Sequence, residues 1–222
     1  ISYNLSADYY AKKYQFSINI FRTNLKDKIQ FSPADDEVKK FGYSYQWENV
    51  DDAYVQGVEL GAKANLFRNF NAGINWTLNQ GKFKHERADW SDPNDETVKE
   101  FPQRLQYAKD SRNISRFPAM TGDIDLDYTP GTWTFSLTSS LQGRMFIDYN
   151  SEDDGATSKI KKTNTFMIFN CRAAKRFGTC TVYAGAKNIF SYIQDEKHTD
   201  DAAFMYAPVY GATWYVGLSV KL

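Results

Sequence analysis

The residues best able to do chemistry here are carboxylates, rings, two histidines and two cysteines, and their spacing decides what each can do. Asp123, Asp125 and Asp127 occupy alternate positions. Successive side chains of an extended strand point to opposite faces, so these three share one face, where they would meet cations or a passing polar solute. The plainer reading is a hydrated wall whose carboxylates pair across strands with Arg or Lys. Glu59 and Lys63 invite the same pair of readings, because they fall opposite the apolar row Val58, Leu60, Ala62, Ala64 and Leu66. Seven rings, Tyr43, Tyr45, Trp47, Trp90, Tyr149, Phe204 and Tyr206, fall between strands. There they would either stack on a planar or sugar-like ligand or pack the loops on one another.

Other reactive types lead less far. Asp35-Asp36-Glu37, Asp92-Pro93-Asn94-Asp95, Glu152-Asp153-Asp154-Gly155 and Asp195-Glu196 offer hard oxygen donors, but none has the spacing of a helix-loop-helix calcium site. No metal is assigned. His85 and His198 form no pair of metal-binding spacing and belong to no nucleophile and base motif, so neither catalysis nor a cofactor is expected. A hairpin turning near 175–178 would put Cys171 and Cys180 on one apolar face, roughly opposite each other. A cross-strand bridge is open to them, with two unpaired small hydrophobes the favoured state.

The elements that must carry these groups are strands. The 222 residues hold 27 Lys and Arg against 27 Asp and Glu, which leaves a polyanion no net field and argues against nucleic acid. Hydrophobic residues are 42% of the chain, mean hydropathy is -0.59, and the aromatic share is high at 16%. No run approaches the ~20 apolar residues of a spanning helix, whereas spanning strands need apolar residues on only one face. Period-two alternation marks strands at 1–13, 14–31, 54–67, 71–85, 117–128, 132–148, 163–177, 179–190 and 212–222, about nine in all. The last is typical: Trp214, Val216, Leu218, Val220 and Leu222 oppose Tyr215, Gly217, Ser219 and Lys221.

Alternation alone does not separate a sheet facing a second sheet from one facing lipid. Connection lengths do. Tight turns at 12–13, 67–70, 128–131 and 177–178 strictly alternate with long connections at 31–52, 85–116, 149–162 and 191–211. An up-and-down membrane barrel has short turns at one rim and long loops at the other, and a Greek-key sandwich has no reason to. Phe67, Phe70, Tyr128, Trp133 and Phe177 gather at the tight-turn rim, as an interfacial girdle would. The opening residues Ile1-Ser2-Tyr3-Asn4-Leu5 include no initiating Met and no signal peptide, so the chain is expected to begin within a longer protein.

Three motifs then point to a family. Asn49-Val50-Asp51-Asp52-Ala53-Tyr54-Val55-Gln56-Gly57-Val58-Glu59-Leu60, Ala186-Lys187-Asn188-Ile189-Phe190 and Tyr206-Ala207-Pro208-Val209-Tyr210-Gly211 occur in an order that resembles the last third of the barrel of TonB-dependent outer-membrane receptors. Two positions depart from the family pattern: Gly211-Ala212 stands where Gly-Arg is usual, and Leu222 where an aromatic is usual. The resemblance implies an all-β, antiparallel up-and-down transmembrane barrel segment within a ~22-stranded barrel, with residues 1–222 its C-terminal portion. It further implies an N-terminal plug domain and an inner-membrane energy-coupling protein as partners, residence in the bacterial outer membrane, and uptake of a scarce small-molecule ligand. A metal chelate such as a ferric siderophore, haem or cobalamin is favoured over an oligosaccharide. An isolated chain of this kind is expected to self-associate. Two other readings compete: a secreted or surface β-sandwich binding glycans through loop rings, and a small membrane-barrel hydrolase built on His85 or His198.

Overall fold

The computed structural model describes residues 1–33, 36–100, 102–147, 161–194 and 206–221. Nine antiparallel strands form one sheet in the order β1 (Ser2–Tyr10), β2 (Tyr14–Pro33), β3 (Tyr45–Phe67), β4 (Phe70–Phe83), β5 (Met120–Tyr128), β6 (Trp133–Gln142), β9 (Phe166–Phe177), β10 (Cys180–Lys187) and β11 (Thr213–Val220). A small ribbon, β7 (Phe146–Ile147) with β8 (Lys161–Lys162), stands in the connection after β6. Every strand of the large sheet pairs with its neighbour in sequence. The sheet is not closed within this chain, and β1 and β11 form its edges.

Four tight turns lie at one rim. At Asn69 and Gly178 the backbone is left-handed, with φ of 67° and 60°, a conformation open to Asn and Gly at little cost. The opposite rim carries the long connections. The first of these is shorter than its alternation suggests, because pairing runs on to Pro33 and Tyr45 and leaves only 34–44 as connection. Register shifts beside Lys28 explain the discrepancy: each bulge resets the period-two phase, so alternation fades from the sequence while the ladder continues.

The apolar rows all lie on one face, and among the described residues no second layer covers them. Leu5, Ile18, Ile20, Leu60, Trp76, Val182, Val216 and Leu218 are exposed. Register places them side by side, through pairs such as Leu5 with Ile20, Val58 with Leu78, and Val182 with Leu218. A sandwich would have sealed this face. Along β3 the apolar band runs from 57 to 66, bounded above by Gln56 and below by Phe67. At about 3.3 Å per residue and a 45° tilt that is roughly 24 Å of height, close to the apolar band of an outer-membrane barrel.

The band's two margins differ. At the tight-turn rim, Phe67 stacks on Phe70 (4.8 Å), Tyr128 lies beside Phe70 and Phe135, and Trp133 stacks on Phe135 (5.6 Å). This continuous girdle extends to Lys175, whose ammonium lies over the Trp133 and Phe177 rings. At the other margin, Arg22 Nη1 donates to Gln56 Oε1 and Gln56 Nε2 donates to Gln80 Oε1, both at 2.9 Å.

Close approach on the polar face is handled by pairing glycine with a ring. Gly217 lies opposite Tyr183 and Gly185 opposite Tyr215, and a Cβ at either glycine would run into the partner's ring. The two cysteines share the apolar face as expected but are not opposite each other. Cys171 pairs with Ala186 and Cys180 with Phe177, about 20 Å apart along the ladder, and both are free thiols.

Candidate ligand passage on the polar face

The polar face is wired across strands by hydrogen bonds. Asn19 Nδ2 donates to Glu59 Oε2 (2.9 Å), Asn75 Nδ2 to Asp123 Oδ2 (2.8 Å), and the Ser136 hydroxyl to Asp127 Oδ1 (2.6 Å). Glu59, Asp123 and Asp127 are therefore held by amides and a hydroxyl where Arg or Lys partners were expected, and Lys63 is the cation near Asp125. Lys63 and Asp125 flank Gly73, whose missing side chain leaves the space between them open. Together with Tyr10, Gln15, Asn71 and Asp127 they line a polar recess of about 560 Å³ near the tight-turn rim. Further along, the Arg172 guanidinium lies over the Tyr183 ring, 4.7 Å from its centroid. The strand phase that placed the three aspartates also places Asn19, Asn75, Ser136 and Arg172, which sequence reasoning left unnamed.

Above the band, the described parts of the connections that follow β4 and β6 turn inward over the same face. Between β4 and β5 lie α2 (Ala88–Ser91), α3 (Glu96–Glu100) and a 3-10 run (Pro102–Arg112), after α1 (Asp36–Lys39) in the preceding connection. Ile114 and Phe117 press on Gly81, on the polar face of β4, and Arg112 Nε donates to the Phe83 carbonyl (3.0 Å). Trp90 is buried within this loop, with the Arg104 guanidinium over its ring at 5.1 Å. A second loop core joins Met145, Phe166 and Tyr206, with Tyr192 stacked on Phe166 at 4.8 Å.

The candidate rings thus divide. Tyr43 is exposed beside the tip of the β2 and β3 ribbon, whereas Tyr45 and Trp47, expected between strands, stand exposed on β3 itself, because the ladder with β2 runs on past the bulges at Lys28. Trp90 and Tyr206 are buried in loop cores, where they hold loops in shape, and Tyr149 and Phe204 lie outside the described residues. His198 also lies outside them. Among the described residues, no three His, Cys, Asp or Glu side chains converge as a metal site.

His85 does find a partner. Asp51 accepts from the His85 N–H (2.6 Å), from His85 Nδ1 (3.0 Å) and from the Asp52 N–H (2.8 Å), on the part of β3 beyond the apolar band. Burial raises the Asp51 pKa, but these donors outweigh it and hold the carboxyl below its ordinary value. A depressed carboxyl stabilises the fold above its unfolded value near 4 and loses that contribution as pH falls through the lower folded value. Asp51→Asn should therefore speed amide exchange at His85 and Asp52 several-fold at pH 7, for about 1 kcal/mol. As pH falls through that lowered range, the difference from the unsubstituted chain should shrink. Equal exchange at pH 7 would contradict it.

One open antiparallel sheet, bare on its apolar side and wired on its polar side, with short turns at one rim and inward loops at the other, defines the wall of an up-and-down membrane barrel. The chain belongs to the family described as TonB dependent receptor-like, beta-barrel, whose model matches residues 1–189. Among solved structures it is similar to the copper transporter OprC, at 20% identity and a TM-score of 0.68, over 98% of this chain and 29% of that one. It is similar to the ferric citrate transporter FecA in its unliganded form, at 18% and 0.67, over 98% and 30%. It is also similar to the ferric enterobactin receptor PfeA from Pseudomonas aeruginosa, at 18% and 0.63, over 99% and 31%. The chain spans about 30% of the length of such structures.

Proposed function

We propose that this chain forms the wall and outer loops of a bacterial outer-membrane receptor that takes up a scarce small ligand by active transport, a metal chelate in preference to an oligosaccharide. The observation that carries the reading is the polar face itself. Its carboxylates are held by amides and hydroxyls on neighbouring strands, and loops rooted at the long-loop rim lean over it. Such a surface is wet, fixed in shape and suited to a passage. Solved relatives named for copper, ferric citrate and ferric enterobactin support a metal chelate as its cargo.

In this reading Tyr43, Tyr45 and Trp47 make the first contact with ligand, because they stand exposed beyond the band. Glu59, Lys63, Asp123, Asp125 and Asp127 face the interior, and the recess beside Lys63 and Asp125 receives part of the receptor's own plug domain. An inner-membrane coupling protein supplies the energy. Chemistry on the ligand has no role. The chain by itself, with two strand edges and a bare apolar face, self-associates or needs detergent.

The test uses the receptor barrel reconstituted with its plug, titrated with ferric citrate, ferric enterobactin, cupric ion, haemin, cobalamin and maltohexaose while Trp fluorescence is followed. At least one metal-bearing probe should bind. Replacing Tyr43, Tyr45 and Trp47 together by Ala should then weaken it about 10- to 100-fold, the loss of roughly 1–3 kcal/mol of ring contact. Binding of maltohexaose alone would reverse the choice of cargo.

A further inference from the structure

A second surface with the makings of a binding site lies on the apolar face, across β6, β9, β10 and β11. Its floor is built of small residues: Cys171 and Ala173 on β9 and Ala184 on β10. Phe135 and Leu137 on β6 rise on one side, Trp214 and Val216 on β11 on the other. The register makes this a continuous trough, since Phe135, Ala173, Ala184 and Val216 stand in one row and Leu137, Cys171, Ala186 and Trp214 in the next. Its volume is about 600 Å³, within the range of small-molecule sites.

The trough has a charged end. The row toward the tight-turn rim holds Trp133, Lys175 and Val182, so Lys175 stands on the trough's own face. It is the one cation on the apolar face of these four strands among the described residues. Its ammonium lies 4.8 Å from the Trp133 ring centroid and 5.0 Å from that of Phe177, within the aromatic girdle. From Cys171 to Lys175 the strand rises about 13 Å, comparable with the reach of an acyl chain from headgroup level into one leaflet.

We propose that this trough binds one phospholipid of the leaflet at the tight-turn rim, with an acyl chain along the alanine and cysteine floor and its phosphate on Lys175. The proposal rests on the lipid-facing reading of the apolar band. A cation held by two rings at girdle height meets an anionic headgroup without leaving the interface, and the small floor residues leave room for a chain beside it. Charge and cavity, at one end and along one face, select the same molecule.

The test places the complete receptor barrel in vesicles with chain spin-labelled phosphatidylglycerol or phosphatidylcholine and reads the immobilised lipid by electron paramagnetic resonance. The unsubstituted barrel should show, beyond the weakly restricted shell of surrounding lipid, a strongly immobilised component that favours phosphatidylglycerol several-fold. Ala173→Phe, and independently Ala184→Leu, should remove it. Lys175→Gln should abolish the preference for phosphatidylglycerol, and Lys175→Arg should keep it. Correct folding of each variant is read from its gel shift on heating. An immobilised component unchanged by both fillings, or no headgroup preference in the unsubstituted barrel, overturns the site. So does a trough-dependent dimer without bound lipid, which would make a second copy the occupant. Absence even of the weakly restricted shell would instead overturn the lipid-facing reading itself.

Discussion

Arginine at Ile74 should destabilise the barrel by about 2–4 kcal/mol, whereas arginine at the adjoining Asn75 should cost less than about 1 kcal/mol. The two positions are neighbours in sequence and occupy the same height, so only the face differs. Ile74 pairs with Ala62 and Ile124 near the middle of the apolar band, where a guanidinium has hydrocarbon around it. Asn75 donates to Asp123 on the polar face, so arginine there would keep a partner and gain an opposite charge. Urea unfolding of each variant in lipid vesicles, followed by Trp fluorescence, measures the difference. Equal costs at the two sites would mean that both faces see the same medium, and the membrane reading would fail with that result.

This asymmetry is also why so much of the fold was legible. Period two needs only a local rule, and it survives wherever one face of a strand meets a single medium over several residues, as in β3 from 57 to 66 and in β11. It fails where the medium changes. The outer ribbon of β2 and β3 stands beyond the band with register shifts beside Lys28, so its pairing from Pro33 to Tyr45 left no alternating trace. The cysteines show a second limit: parity placed both on the apolar face, but position along the strand depends on the turn, and the tight turn at Gly178 put Cys180 opposite Phe177.

For the site, residues on strands were legible and residues in loops were not. The phase of β5 put Asp123, Asp125 and Asp127 on the polar face, and their partners followed from register, which no single sequence displays. Loop rings obey no period. Trp90 and Trp47 look alike as loop aromatics in the sequence, yet Trp47 stands on β3 and is 73% exposed, while Trp90 is 4% exposed because Arg104 and the short helices close over it. The motif around Asn188 was read as a family mark, and its physical work became visible only when distant segments converged on it.

That convergence carries the second large effect. Asn188 has a φ of 51°, and its buried amide donates to the carbonyls of Tyr192 (2.7 Å) and Tyr210 (3.1 Å) while accepting from the Tyr192 N–H (2.9 Å). Its own N–H donates to Asn170 Oδ1 at 3.0 Å. One side chain thereby ties the end of β10 to both limbs of the following loop, next to the Met145, Phe166 and Tyr206 core. Asn188→Ala withdraws three bonds and places a Cβ-bearing residue without local support in the left-handed region, so about 3–5 kcal/mol of local stability should go. Asn188→Gly removes the same bonds without the backbone penalty and should lose less, whereas Asn188→Asp keeps the acceptor but sets a carboxylate oxygen against the Tyr192 and Tyr210 carbonyls and should lose at least as much as alanine. Amide exchange across 189–194 and 206–212 reads the loss directly, with the centre of β10 unchanged. If the three variants open that loop equally, the bonds of the amide are incidental and packing of Tyr192 on Phe166 holds the loop. If alanine and aspartate open it more than glycine does, the amide and the left-handed backbone together fix an inward loop above the polar face.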